Sequence, residues 1–420
     1  MRYKATLVIT VVVLVSFIFG TLIGCDSKPP ATKNPIKIGY IMPMTGPAAE
    51  KGAPIGQGEL DAIKYIKDEL GGVEGNKLEA LWYDSNYDTA KAATIIKKLM
   101  DDGCAMFTVV SSKEATAVKE MANRAGFPGL IVFSSPALTH PPQHLYAQLP
   151  DYGDDWAGFA KYYVGNIWKG SGKPKMALEL LSNPTGYGAR DAARAAADSL
   201  GIEIVATEEH AATTVSEIDA LTRIKAKNPD VLFISSTPAP TAIILKNAYE
   251  LKMVPGITVG CAHASFTKAL VDLAGKDASE GAYGVIPTVN WGDNVPGMAK
   301  LVEYCKIRHP EYTGNTDYLI GWASSLINAE IIRQALKNAG YDVIGKGDTT
   351  SWQAVEKSGF MRVKGYDVGG LEGPVDFSDP LDKRGSKALK IYQVKTGSIT
   401  AITDWVNAPL IKYEELSWFK

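Results

Sequence analysis

From Ile36 onward the chain alternates short β-branched runs with longer segments of helical period, and that alternation restricts it to an α/β architecture. Strands are expected at 36–41, 78–83, 106–110, 129–133, 175–181, 203–206, 231–234 and 257–259. Helices are expected at 58–68, 89–102, 115–125, 157–168, 189–200, 216–227 and 241–251. In the second of these helices Ala92, Ile95, Ile96, Leu99 and Met100 share one face, while Lys91, Lys97, Lys98 and Asp101 take the other. Such an order implies parallel central sheets wound with right-handed crossovers.

The alternation breaks twice, at Leu149-Pro150-Asp151-Tyr152-Gly153 and at Val285-Ile286-Pro287-Thr288-Val289. The expected body is therefore two Rossmann-like lobes, of about four strands each, joined by a hinge that the chain crosses more than once. Residues 36–152 and 288–385 form lobe 1; residues 153–287 and 386–420 form lobe 2. Ligands of open α/β sheets lie outside the carboxyl ends of the strands, so two facing lobes make a cleft.

Residues 1–24 carry Arg2 and Lys4 ahead of an apolar run from Leu7 to Phe19, the layout of a secretory signal peptide. Leu22-Ile23-Gly24-Cys25 looks like a bacterial lipobox, which makes Cys25 the lipidation site; the alternative is an uncleaved membrane anchor. The proline-bearing stretch 25–35 lacks apolar periodicity and reads as a tether. The body is expected to be exported and lipid-anchored to the outer face of the cytoplasmic membrane.

A formal net charge of −2 supplies no basic face for nucleic acid. Cys104, Cys261 and Cys305 permit at most one intramolecular bridge, so disulfides are not what holds the fold together. No Cys-x-x-Cys or His-x-x-x-His spacing occurs, and no metal or cofactor is expected. Gly340 to Gly347 imitates a phosphate loop, but glycine follows its lysine where a hydroxyl is needed. No Gly-x-Ser-x-Gly elbow is present either, so enzymatic activity is not expected.

Several motifs in order resemble those of the branched-chain amino-acid binding proteins of bacterial ABC importers, the type I periplasmic binding fold. They are Ile38-Gly39-Tyr40-Ile41-Met42-Pro43-Met44-Thr45-Gly46-Pro47, Gly71-Gly72-Val73-Glu74-Gly75-Asn76, Tyr83-Asp84, Ser134-Ser135-Pro136-Ala137, Thr185-Gly186-Tyr187-Gly188 and Leu371-Glu372-Gly373-Pro374. The resemblance implies a receptor, acting as a monomer, that closes two lobes on a small solute and presents it to an ABC permease. A sensor that hands its closed form to a membrane receptor is the alternative use of the same fold.

Candidate solute contacts follow from that resemblance. Ser111 and Ser112 open the helix after the third strand, where hydroxyls and free amides receive a carboxylate. Ser111 with Glu114 is also a capping-box pattern, so Ser111 has a plain structural reading as well. Ser134 and Ser135 stand at the end of the next strand, and Tyr187 between two glycines is expected to reach the solute from lobe 2. Tyr152, Trp156 and Trp322 are aromatic candidates around the hinge and cleft, with core packing as their ordinary alternative.

One departure from the family pattern bears on the cargo. Amino-acid binders carry an acid near Gly260-Cys261-Ala262-His263 to pair with the α-ammonium, and this segment has none. His263 is a poor substitute, while Asp154 or Asp155 offers a charge from the hinge. Tyr87 and Val110 occupy the places of a bridge that some members close. The expected cargo is a small carboxylate, an aromatic or aliphatic acid in preference to leucine, isoleucine or valine; the alternative is a branched-chain or other amino acid.

Overall fold

Strand β1 (Ile36–Met42) is buried along almost its whole length, as a central strand covered on both faces must be. In a computed structural model that describes residues 33–417, β1 pairs in parallel with β2 (Leu78–Asp84) and β3 (Met106–Val109). Strands β4 (Gly129–Ile131) and β5 (Leu145–Ala147) complete a five-stranded parallel sheet of order β2-β1-β3-β4-β5. Strand order reverses between β1 and β3, so the helix Ala49–Asp68 after β1 and the helix Ser112–Ala125 after β3 diverge from a crevice.

The second sheet repeats the arrangement. Strands β6 (Lys175–Leu181), β7 (Glu203–His210), β8 (Val231–Ser235), β9 (Thr258–Cys261) and β10 (Tyr283–Ile286) run in parallel in the order β7-β6-β8-β9-β10. Strands β11 (Ala388–Lys395), β12 (Ser398–Ala401) and β13 (Val406–Asn407) add antiparallel pairs, making eight strands in all. Its reversal lies between β6 and β8. The expectation of parallel sheets in two lobes is borne out, but the sheets hold five and eight strands instead of about four each.

The helix Ala49–Asp68 begins well before the expected residue 58, although Gly52, Pro54, Gly56 and Gly58 are poor helix formers. Packing overrides propensity here. A Cβ at Gly58 would lie 2.2 Å from the Tyr318 carbonyl oxygen, and one at Gly321 would lie 1.9 Å from that of Ile55. Glycine lets the helices Ala49–Asp68 and Thr316–Ala339 cross backbone to backbone.

The chain passes between the sheets three times. At the first passage Asp151 caps the helix Tyr152–Tyr162 in a capping box with Asp154. At the second, Thr288 pairs with Glu372. At the third, the amides of Gly385 and Ser386 donate to the carbonyls of Ala147 and Gln148 at 2.7 and 3.0 Å. Arg384 joins the first passage to the third, donating to Asp154 Oδ1 at 2.5 Å and to both oxygens of Asp382.

Cys104, Cys261 and Cys305 are free and buried. The signal segment 1–24, Cys25 and most of the tether lie outside the described residues. Among the described residues no helix is long and apolar enough to cross a membrane.

Candidate functional site

The reversal points of the two sheets face one another across a cavity of about 50 Å³. From the β1 side come Pro43 and Lys51, and from the β3 side Val110, Ser111 and Ser112. Tyr87 and Phe133 complete the first wall. Thr185 after β6, Thr237 after β8 and Ala264 after β9 form the opposite one, with Tyr152 from the first interlobe passage between them. Lys51 also borders an outer space of about 270 Å³ at the cleft mouth.

Ser111 holds the helix Ser112–Ala125 at its first turn, accepting from the Glu114 amide at 3.2 Å. The capping box is only half formed. The Glu114 carboxyl does not return to the Ser111 backbone; it accepts from the Ser111 hydroxyl at 2.6 Å. Glu114 is fully buried, and burial raises its carboxyl above the usual range. The Ser111 hydroxyl is thereby occupied, which leaves the first-turn amides of the helix, beginning at the cavity-lining Ser112, without an intrahelical acceptor.

Lys51 supplies the positive charge. Its ammonium lies 2.7 Å from Asp317 and 5.3 Å from the Phe133 ring centroid, with the side chain only 14% exposed. Tyr87 adopts a positive φ of 57°, rare outside glycine, and its carbonyl accepts from Lys113 Nζ at 3.2 Å. Burial, reinforced by the nearby Glu114, pushes its phenol up to about 12, so the hydroxyl stays a donor.

Tyr152 lines the cavity together with Thr185 and Ser112, and burial keeps its phenol protonated. Behind it His263 stacks on the Tyr152 ring at 5.0 Å and meets Phe133 at 5.2 Å. Asp155 Oδ2 accepts from the His263 backbone amide at 3.0 Å and lies 2.6 Å from His263 Nδ1. Arg384 occupies Asp154, while Asp155 keeps one buried oxygen, Oδ1, without a hydrogen-bond partner among the described residues; neither acid borders the cavity.

Of the expected contacts, the cavity brings together Ser111, Ser112 and Tyr152, with His263 one layer behind. Trp156 is placed elsewhere: it is fully buried in the core of the second lobe, where its indole N–H donates to Met176 Sδ. Trp322 stacks on Tyr65 in the core of the first lobe. Tyr187 lies under the Arg190 guanidinium at 4.1 Å, two residues past the cavity-lining Thr185. Ser134 and Ser135 are buried next to the wall that Phe133 provides, and the Ser134 carbonyl accepts from the Tyr152 amide.

Lys51, Thr185 and Thr237 were missed. Thr185 and Thr237 lie ahead of the expected helices 189–200 and 241–251, whereas the structure begins those helices at Pro184 and Pro238. Lys51 fell in the glycine- and proline-bearing stretch left outside the expected helix.

A family model described as periplasmic binding protein matches residues 35–398. The leucine-, isoleucine-, valine-, threonine- and alanine-binding protein of Pseudomonas aeruginosa is 40% identical over 68 residues, a match spanning 16% of this chain and 18% of that relative's length. The structure of a branched-chain amino acid ABC transporter protein from Thermus thermophilus with bound valine superposes with a TM-score of 0.78 at 20% identity, covering 92% of this chain and 99% of that one. A fatty acid ABC transporter substrate-binding protein from Thermomonospora curvata gives 0.76 at 19% identity, over 89% and 92%. The fold, and a family match along nearly the whole body, bear out the resemblance drawn from the motifs: the chain belongs to the periplasmic binding protein family.

Proposed function

We propose that this chain is the solute receptor of an ABC importer and that its cargo is a short carboxylate held without a partner for an ammonium. The observation that carries the cargo reading is the make-up of the cavity wall: one lysine, whose partner Asp317 lies outside it, several hydroxyl side chains and no carboxylate among the lining residues. A buried ammonium left unpaired there would cost several kcal/mol. A carboxylate meets the opposite situation.

Size narrows the class. At roughly 10–15 Å³ for each water-sized group, a cavity of about 50 Å³ admits a few heavy atoms. Of the aromatic candidates around the hinge, Trp156 and Trp322 lie in cores and Tyr152 borders the cavity, so it is the small volume that favours a short aliphatic acid. Residues 36–152 with 288–385 would move against residues 153–287 with 386–420, with the solute stabilising the closed form through contacts that exist only in that form. Export behind the signal segment and lipidation at Cys25 would keep a monomer within reach of its permease.

A thermal-shift screen of short acids, aromatic acids, amides and amino acids on residues 26–420 tests this reading. A ligand at a hundred times its Kd adds about 2.7 kcal/mol of stability. Short acids should shift the transition most; a response confined to amino acids would overturn the cargo assignment.

A further inference from the structure

Behind the second wall of the cleft lies a buried polar chain outside the cavity itself. Glu179 of β6 pairs with His210 Nδ1 at 3.1 Å, and His210 Nε2 meets Ser236 Oγ at 2.8 Å. All three residues are buried. With Nδ1–H donating to Glu179, Nε2 accepts the Ser236 hydroxyl proton and fixes its direction. A carboxylate is expensive to bury, and Glu179 Oε2 has no protein partner, so this arrangement is not the cheapest way to fill a core. Next to it the Ser235 hydroxyl donates to the Thr185 carbonyl at 2.8 Å.

These bonds hold Ser236, which precedes Thr237, and the carbonyl of Thr185; the two threonines line the cavity from lobe 2. Thr237 precedes the helix Pro238–Glu250, yet its side chain makes no capping bond. Thr237 borders the cavity, and among the described residues no acid does so from that lobe. In a space this small, a group that reaches Thr237 is attached within a bond or two of a carboxylate lodged at the Ser112 end.

We infer that Thr237, presented by the Glu179–His210–Ser236 chain, selects the cargo by reading a neutral oxygen beside the carboxylate, so that the solute is a short 2-hydroxy or 2-oxo acid. This rests on the short-carboxylate reading above. Thr237 is the contact; Ser236, His210 and Glu179 are positioning residues.

The test is calorimetric titration of residues 26–420 with four probes of equal length: butyrate, 2-hydroxybutyrate, 2-oxobutyrate and 2-aminobutyrate. One buried hydrogen bond predicts that the hydroxy or oxo acid binds about tenfold tighter than butyrate. Thr237→Val keeps the shape and should abolish that preference, bringing the ratio of hydroxy-acid to butyrate affinity to about one. Ser236→Ala should shrink the ratio between hydroxy acid and butyrate, whereas loss of a merely structural bond would weaken both alike. Equal affinity for butyrate and the hydroxy acid, or a preference that survives Thr237→Val, overturns the inference and leaves the short-carboxylate reading standing. If 2-aminobutyrate alone binds, or none of the four does, that reading falls and the inference with it.

Discussion

Lys51→Met replaces the cation on the cavity wall with a thioether of similar length. In the intact protein the ammonium lies 2.7 Å from Asp317 Oδ1, with side chains 14% and 9% exposed, so water screens the site poorly. A hydrogen bond to a charged group contributes about 1.5–3 kcal/mol, which corresponds to roughly 10- to 150-fold in Kd. The loss should be confined to anions. Calorimetry with butyrate and with butyramide separates the two effects: Lys51→Met should weaken butyrate by that factor and move the amide less than about threefold. The variant also strands Asp317 near the cleft, so the double variant Lys51→Met/Asp317→Asn should recover stability without recovering butyrate affinity. Unchanged butyrate binding, or equal losses for acid and amide, would refute the argument that Lys51 is the counter-ion.

Burial pushes the carboxyls of Glu59 and Glu372 up to about 8 from an ordinary 4.5. The native chain therefore holds protons that the unfolded chain has released across that window, and these two groups make stability fall as pH rises through it. Glu372→Gln should flatten the decline in melting temperature between pH 5 and 8 and raise it at pH 8, as scanning fluorimetry would show. Trp156→Ala should cost about 3–5 kcal/mol in urea unfolding while butyrate affinity stays unchanged in the folded fraction. Gly321→Ala drives a Cβ into the Ile55 carbonyl and should destabilise by about 1–3 kcal/mol or more, read by the same unfolding curves.

Much of the fold is legible because parallel strands covered on both faces read as continuous apolar runs; β6 at Lys175–Leu181 falls where expected. Strand β5, only three residues long, is too short to show any period, and β10 to β13 lie beyond the stretch where alternation is clear. Ser111 and Ser112 are readable because a strand, a cap and a helix follow one another within a few residues. The remainder of the site depends on contacts between distant positions. Nothing local connects Asp155 to His263, 108 residues away, yet that pair engages one carboxylate oxygen of a hinge acid. Trp156 and Trp322 show the opposite error: large aromatic side chains near a hinge suggest a ligand, but the area they bury is satisfied by core packing.

Titration of residues 26–420 with L-valine and with 3-methylbutyrate, the same skeleton without its amine, tests the central claim most directly. Tighter binding of the deaminated acid, by about tenfold or more, is the result this account predicts. Tighter binding of valine would contradict it.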